Sequence, residues 1–265
     1  MSQMHHPEHN RRRKIYEYIE ENGAVEPEMV RQNVLVHPET GSKPTRSGGQ
    51  LTPSTKMSGE EFNRHVSVLD REGYIDEING KLRVAMPMDM EATTTSVGET
   101  EAVVRPAHQE DITAIVDVIE TIAAVETYVV AARLAEKIDR DGVLLRHNES
   151  ENRVFFVATV EEDVVGWLHV EGVQFPRMDH TAELTVGVLE EYRGNGLGST
   201  LMERGLEWAS NRDYQKVYQS LPATNAQTVD FLEDHGWSVE STREGHYLID
   251  GELTDEVQLA FWLTE

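Results

Sequence analysis

Residues 183–198 read E-L-T-V-G-V-L-E-E-Y-R-G-N-G-L-G, an apolar strand that runs into the turn Arg193-Gly194-Asn195-Gly196-Leu197-Gly198. The turn leads straight into an amphipathic helix, Gly198–Ser210, with Leu201, Met202, Leu206 and Trp208 inward. Glycines let a backbone take positive φ and approach a ligand with no Cβ in the way. Consecutive amides in such a turn, with the first unpaired N–H groups of the helix, form a positive nest for a pyrophosphate, and Arg193 adds a full charge. The spacing is not G-x-G-x-x-G, since Ser199 follows Gly198, and the Gly-Lys-Ser/Thr of a P-loop is missing. A plain loop around Gly194-Asn195-Gly196 needs no ligand, but the strand before it and the helix after it weigh against that reading.

Outward from this stretch, strands and helices alternate. Ala102–Arg105 is a short strand ending at Pro106. Asp111–Ala123 and Glu126–Arg140 are helices, and Arg153–Val160, Val164–Val173 and Thr181–Leu189 are three strands. After the signature helix come a strand (Lys216–Ser220), a helix (Ala226–His235) and two strands (Ser238–Ile249 and Val257–Leu263). The expectation is an α/β (α+β) fold, a mixed sheet flanked by helices.

Arg193-x-x-Gly196-x-Gly198 after an apolar strand resembles the acetyl-CoA signature of the Gcn5-related N-acetyltransferase (GNAT) family. The segment Asn225-Ala226-Gln227-Thr228-Val229-Asp230-Phe231-Leu232-Glu233-Asp234-His235-Gly236-Trp237 is similar to the family's second motif. The resemblance covers roughly residues 102–265 and includes the order of elements. It implies acetyl-CoA as cosubstrate, with Val186 and Val188 pairing their backbone with the pantetheine arm. It also implies Arg193, Gly194, Asn195, Gly196, Leu197, Gly198 and Ser199 around the pyrophosphate, Asn225 near the pantetheine, and Phe231 beside the arm or the adenine. Asn225 equally fits a helix N-cap.

Acyl transfer to an amine needs a neutral amine and a base for its proton. The chain has no cysteine, so no cysteinyl thioester can form, and direct attack in a ternary complex is favoured. Glu183 is the candidate base. It opens an apolar strand ten residues before Arg193, where partial desolvation would raise its pKa. Its placement is similar to that of the catalytic glutamate of the family's protein lysine acetyltransferases, whereas the plain alternative is a solvated strand-end carboxylate. Many members carry a tyrosine acid where this chain has Leu232. Water, Tyr218, Tyr192 or Tyr247 could take over, and Tyr247 is the candidate because its strand should border the acceptor cleft. His169 and His246 read as structural; His180 could line the acceptor entrance with Arg177 and Asp179. The cluster His5, His6, His9 lies in an unpatterned terminus.

Before residue 91 the pattern changes. Arg11–Asn22 and Glu26–Val36 read as helices, His37–Met57 as a long loop, and Ser58 with Glu61 as a capping box opening a third helix. Tyr74–Ile78 and Lys81–Ala85 flank Asn79-Gly80, a hairpin signal. Residues 1–90 therefore resemble a winged helix-turn-helix, with 91–101 inside the aperiodic linker Met86–Glu101 and the acetyltransferase-like domain over 102–265. DNA binding through residues 11–85 is the competing function class, a regulator whose second domain senses acetyl-CoA. Against it, the third helix carries four acidic residues and only Arg64 and Arg71.

The 265 residues hold 48 Asp/Glu against 24 Lys/Arg, a net charge of −24. Residues 92–265 carry 33 acidic and 12 basic side chains, a net of −21. That balance disfavours nucleic acid as a partner of the second half and suits a high-salt cytoplasm. Expected partners are a cationic amine acceptor, a basic peptide or polyamine among them, DNA as above, and a second copy in a homodimer. With no long apolar run and no signal peptide, a soluble cytoplasmic protein is expected.

Overall fold

Apolar strands within residues 151–188 build the centre of one mixed sheet in the computed structural model, which describes residues 7–36, 54–85, 91–98, 100–126, 128–148, 151–173, 175 and 177–263. The chain divides into two compact units between residues 87 and 88.

In the first unit, α1 (Asn10–Asn22), α2 (Pro27–Asn33) and α3 (Gly59–Arg71) precede a hairpin; two short strands, β1 (Leu35–Val36) and β2 (Thr55–Lys56), pair between α2 and α3. Ser58 caps α3 by accepting the Glu61 N–H at 3.2 Å. The hairpin strands, β3 (Ile75–Ile78) and β4 (Lys81–Val84), turn on Asn79 and Gly80, both at positive φ. Ile15, Ile19, Val30, Phe62, Leu69, Ile75 and Leu82 form its core. The expected helix through Val36 ends earlier, at Asn33, because the run Val34-Leu35-Val36 prefers extended backbone. Most of the expected loop, residues 37–53, lies outside the described residues.

The second unit runs β5 (Thr93–Val97), β6 (Thr100–Pro106), α4 (Ile112–Glu126), α5 (Val129–Asp141), β7 (Arg146–His147), β8 (Glu151–Val160), β9 (Asp163–Val173), β10 (Thr181–Val188), α6 (Leu197–Ser210), β11 (Lys216–Pro222), α7 (Ala226–Asp234), β12 (Ser238–Ile249) and β13 (Glu252–Trp262). Among the described residues its sheet has the order β12-β13-β11-β10-β9-β8-β6-β5, with β7 beside β8. The β10–β11 pair is parallel and the other pairs are antiparallel. The period-two alternation of β10 decides the layers. Leu184 faces α6, and a Cβ on Gly205 of that helix would come 3.2 Å from it. Gly187 faces Trp167 and Ile122 of α4.

Two expectations fail here. Residues 93–97, expected inside a linker, form β5 against β6, because Thr-Thr-Thr-Ser-Val, though polar, is rich in β-branched residues that suit an edge strand. The last strand starts at Glu252 rather than Val257, since the tight Asp250-Gly251 turn carries the polar stretch Glu252–Glu256 back along β12.

Candidate active site

β10 pairs with β9 over Ala182–Val188 but with β11 only over Thr181–Glu183, opposite Lys216–Tyr218. Beyond Glu183 the two parallel strands have no further pairing, leaving a gap inside the sheet. The Leu189 N–H donates to the Val165 carbonyl at 2.9 Å, so the odd-numbered residues of β10 turn their backbone toward β9. Leu184, Val186 and Val188 therefore turn theirs toward the gap, an internal strand edge that an extended ligand can complete. Arg193 Nε donates to the Val188 carbonyl at 2.8 Å, which ties the following turn to the end of the gap.

That turn has Gly194 at φ 73° and Gly196 at φ 81°. Gly196 is the N-cap of α6 and supplies no side-chain cap, so the first N–H groups of the helix point outward without a side-chain acceptor. A Cβ at either glycine would meet nothing within 4 Å; both face open space. Asn195 braces the turn, its amide donating to the carbonyls of Tyr192 (3.2 Å) and Arg193 (3.0 Å). A cleft of about 380 Å³ follows, lined by Val186, Val188, Arg193, Gly194, Gly196, Leu197, Gly198, Ser199 and Phe231.

Asn195 and Asn225 are not walls of this cleft. Asn225 caps α7, accepting the Thr228 N–H at 3.3 Å, and its buried Nδ2 has no partner among the described residues. The sequence did not point to six further walls, Ile122, Tyr128, Gly187, Gln227, Thr228 and His235. His235 Nδ1 donates to the Phe231 carbonyl at 2.7 Å, leaving Nε2 2.8 Å from Ser199 Oγ. The four-residue spacing of Phe231 and His235 on one helix was the available signal.

A second cleft, about 710 Å³, borders the same strand at its other end and brings Glu183, Tyr218 and Tyr247 together with His169, Glu171, His246 and Glu256. Val186–Val188 line the first cleft and Glu183 and Thr185 the second, so the two follow each other along β10. Burial, then the neighbouring Glu171 charge, pushes the Glu183 pKa above the usual carboxylate range. Glu171 behaves oppositely. Burial alone would raise it, but His169 (3.3 Å) and Lys137 (2.7 Å) outweigh that and hold it down at about 2. Burial pushes the His169 pKa down, against the pull of Glu171. Tyr218, register partner of Glu183, is pushed up to about 12 by burial and both carboxylates. The Tyr247 hydroxyl donates to Glu256 Oε1 at 2.8 Å, and burial together with that bond raises its pKa.

Other expectations are corrected. Arg177, Asp179 and His180 line neither cleft; the His180 carbonyl instead accepts the Gln215 N–H at 2.8 Å. Tyr192 lies in the first cleft, away from Glu183. In the first unit, His9 caps α1, while His5 and His6 lie outside the described residues. The basic run of α1 is engaged internally: Arg11 with Glu61, Arg12 with Glu72, Arg13 with the Pro7 carbonyl and Lys14 with that of Leu35. Among the described residues no acidic/His cluster could hold a metal ion, and no helix is long and apolar enough to cross a membrane.

Comparison with known proteins agrees with this geometry. Residues 121–237 match the profile of the acetyltransferase (GNAT) family. The L-amino acid N-acetyltransferase AaaT of Escherichia coli is 28% identical over 105 residues, which cover 39% of this chain and 65% of that relative. An N-alpha-acetyltransferase of Saccharolobus solfataricus is 28% identical over 118 residues, 41% of this chain and 70% of that one. YncA of Salmonella typhimurium, solved with its cofactor acetyl-CoA, shares the fold at a TM-score of 0.52 and 18% identity, over 62% of this chain and 95% of that one. Acetyl-CoA is the cosubstrate of the matched family. The gap in the sheet and the glycine turn at its end both fall within residues 121–237, the stretch that resembles the acetyltransferase (GNAT) family.

Proposed function

We propose that this protein is an acetyl-CoA-dependent N-acetyltransferase that passes the acetyl group directly to a primary amine in a ternary complex. The observation that supports this most is the β10/β11 gap, which ends on an uncapped, glycine-opened helix N-terminus. Val186 and Val188 extend their backbone to the pantetheine amides, and the N–H groups of the turn and of α6 hold the pyrophosphate. The buried, unpartnered Nδ2 of Asn225 is a donor in want of an acceptor, which fits a pantetheine carbonyl nearby.

On the acceptor side, Glu183 takes the ammonium proton. Its raised pKa brings the carboxylate closer to the amine it must deprotonate. The amine nitrogen then bonds to the acetyl carbon as the C–S bond breaks; Tyr247 gives its proton to the leaving thiolate and is reprotonated by the second proton of the nitrogen. No covalent enzyme intermediate is involved. The first unit, three helices and a hairpin, is a winged-helix-like module in this reading. A DNA-binding regulator is the weaker reading, because the basic run of α1 is spent on partners within its own unit.

Incubating the full chain with acetyl-CoA and a panel of primary amines, with mass-spectrometric detection, tests the proposal. N-acetylated product that Glu183→Gln abolishes is expected; no product from any amine would overturn it.

A further inference from the structure

The Lys and Arg of the second unit are few, and they are not spread evenly. Of the 12 in residues 92–265, four line the acceptor cleft: Arg133, Lys137, Arg140 and Arg243. Three of them recur on α5 at i, i+4 and i+7, so one helical face presents a basic stripe to the cleft that holds Glu183. Their engagements differ. Lys137 bridges Glu151 and Glu171 at 2.9 and 2.7 Å, and Arg243 pairs with Glu256. Arg140 lies 3.4 Å from Asp141. Arg133 is exposed and has no hydrogen bond or ion pair among the described residues.

We infer that the acceptor is a small zwitterion, a primary amine carrying a carboxylate in the manner of an α-amino acid, with Arg133 as the cation that takes the carboxylate. This rests on the transferase reading above and adds the substrate class. An ammonium is matched by Glu183, and a carboxylate by a guanidinium that can engage it through two parallel bonds. The closed neighbouring pairs cannot supply that cation without giving up a carboxylate partner. A polyamine would bring its further ammonium groups against the α5 stripe, where like charges repel. The acidic surface of the unit as a whole thus misleads about the acceptor, because the cleft itself carries four carboxylates, Glu136, Glu171, Glu183 and Glu256, against four cations.

In the transfer, the zwitterion's ammonium gives one proton to Glu183. Its nitrogen bonds to the acetyl carbon, the C–S bond breaks, and the thiol leaves with the second proton. The products are an N-acetyl amino acid, a free thiol and one proton released to water.

The test compares kcat/KM for L-amino acids, their carboxamides and a diamine, using the full chain and its R133A and R133E variants. Wild type should prefer the free acid over the amide by about tenfold or more, the worth of one charge-assisted contact. R133A should reduce that preference to near parity through KM for the acid, and R133E should favour the amide and the diamine. Equal values for acid and amide in wild type, or a preference that R133A leaves intact, would overturn this inference while leaving the transferase reading in place. No transfer to any amine would overturn both.

Discussion

Glu171 and Glu183 stand directly opposite each other on β9 and β10, and the fold drives them into opposite protonation behaviour. Lys137 and His169 fix the first as an anion, and burial with the charge of the first pushes the pKa of the second upward. Two carboxylates whose environments separate their pKa values mark an acid–base site.

The pH profile of kcat/KM should therefore show an acid limb above the usual carboxylate range. With Glu183 as the proposed base, activity is expected only above its raised pKa, where the carboxylate is ionised. Removing the neighbouring charge with Glu171→Gln lowers the Glu183 pKa, so the limb should move to lower pH. A limb that stays in place or moves upward would detach Glu171 from the tuning of the base.

Glu183→Gln should reduce kcat by about 10²–10⁴-fold at neutral pH while acetyl-CoA affinity changes little. It should also raise the melting temperature there. A carboxyl whose folded pKa lies above its unfolded value loses stabilisation as pH rises through that window. The glutamine variant is spared that loss, so its advantage should be full above the window and fade in acid. Melting curves at several pH values check the sign.

How much of this was legible before the structure depends on where the signal was local. The strand–turn–helix around Arg193–Gly198 and the hairpin at Asn79-Gly80 follow from glycine positions and apolar periodicity, which are properties of short windows. β5 was hidden because Thr93–Val97 is polar, and pairing rather than composition makes it a strand. Glu183 stood out as an acid near the start of an apolar strand that leads into the glycine turn. Its partnership with Glu171 did not, since the two are twelve residues apart and only strand register brings them together. The same holds for Ser199 and His235, joined by the packing of α7 on the first turn of α6.

Gly196 sits at φ 81°, where an L-residue is strained by roughly 1–2 kcal/mol, and it faces the open space assigned to the phosphates. Gly196→Ala should raise KM for acetyl-CoA at least about tenfold and lower stability by roughly 1–2 kcal/mol. Steady-state kinetics with varied acetyl-CoA measure it; an unchanged KM would move the phosphate seat elsewhere.

Tyr247→Phe should lower kcat by about ten- to a hundredfold without altering KM for acetyl-CoA, because its hydroxyl holds its proton at neutral pH and lines the Glu183 cleft. Tyr218→Phe is the control. A kcat loss confined to Tyr218→Phe would transfer the acid role to that residue, which is paired in register with Glu183.

The most direct measurement is calorimetric titration of acetyl-CoA into the full chain. Saturable one-to-one binding that Gly196→Ala weakens and Glu183→Gln leaves nearly intact is the predicted result. No saturation with the wild-type chain would contradict the assignment of the sheet gap and its glycine turn to this coenzyme.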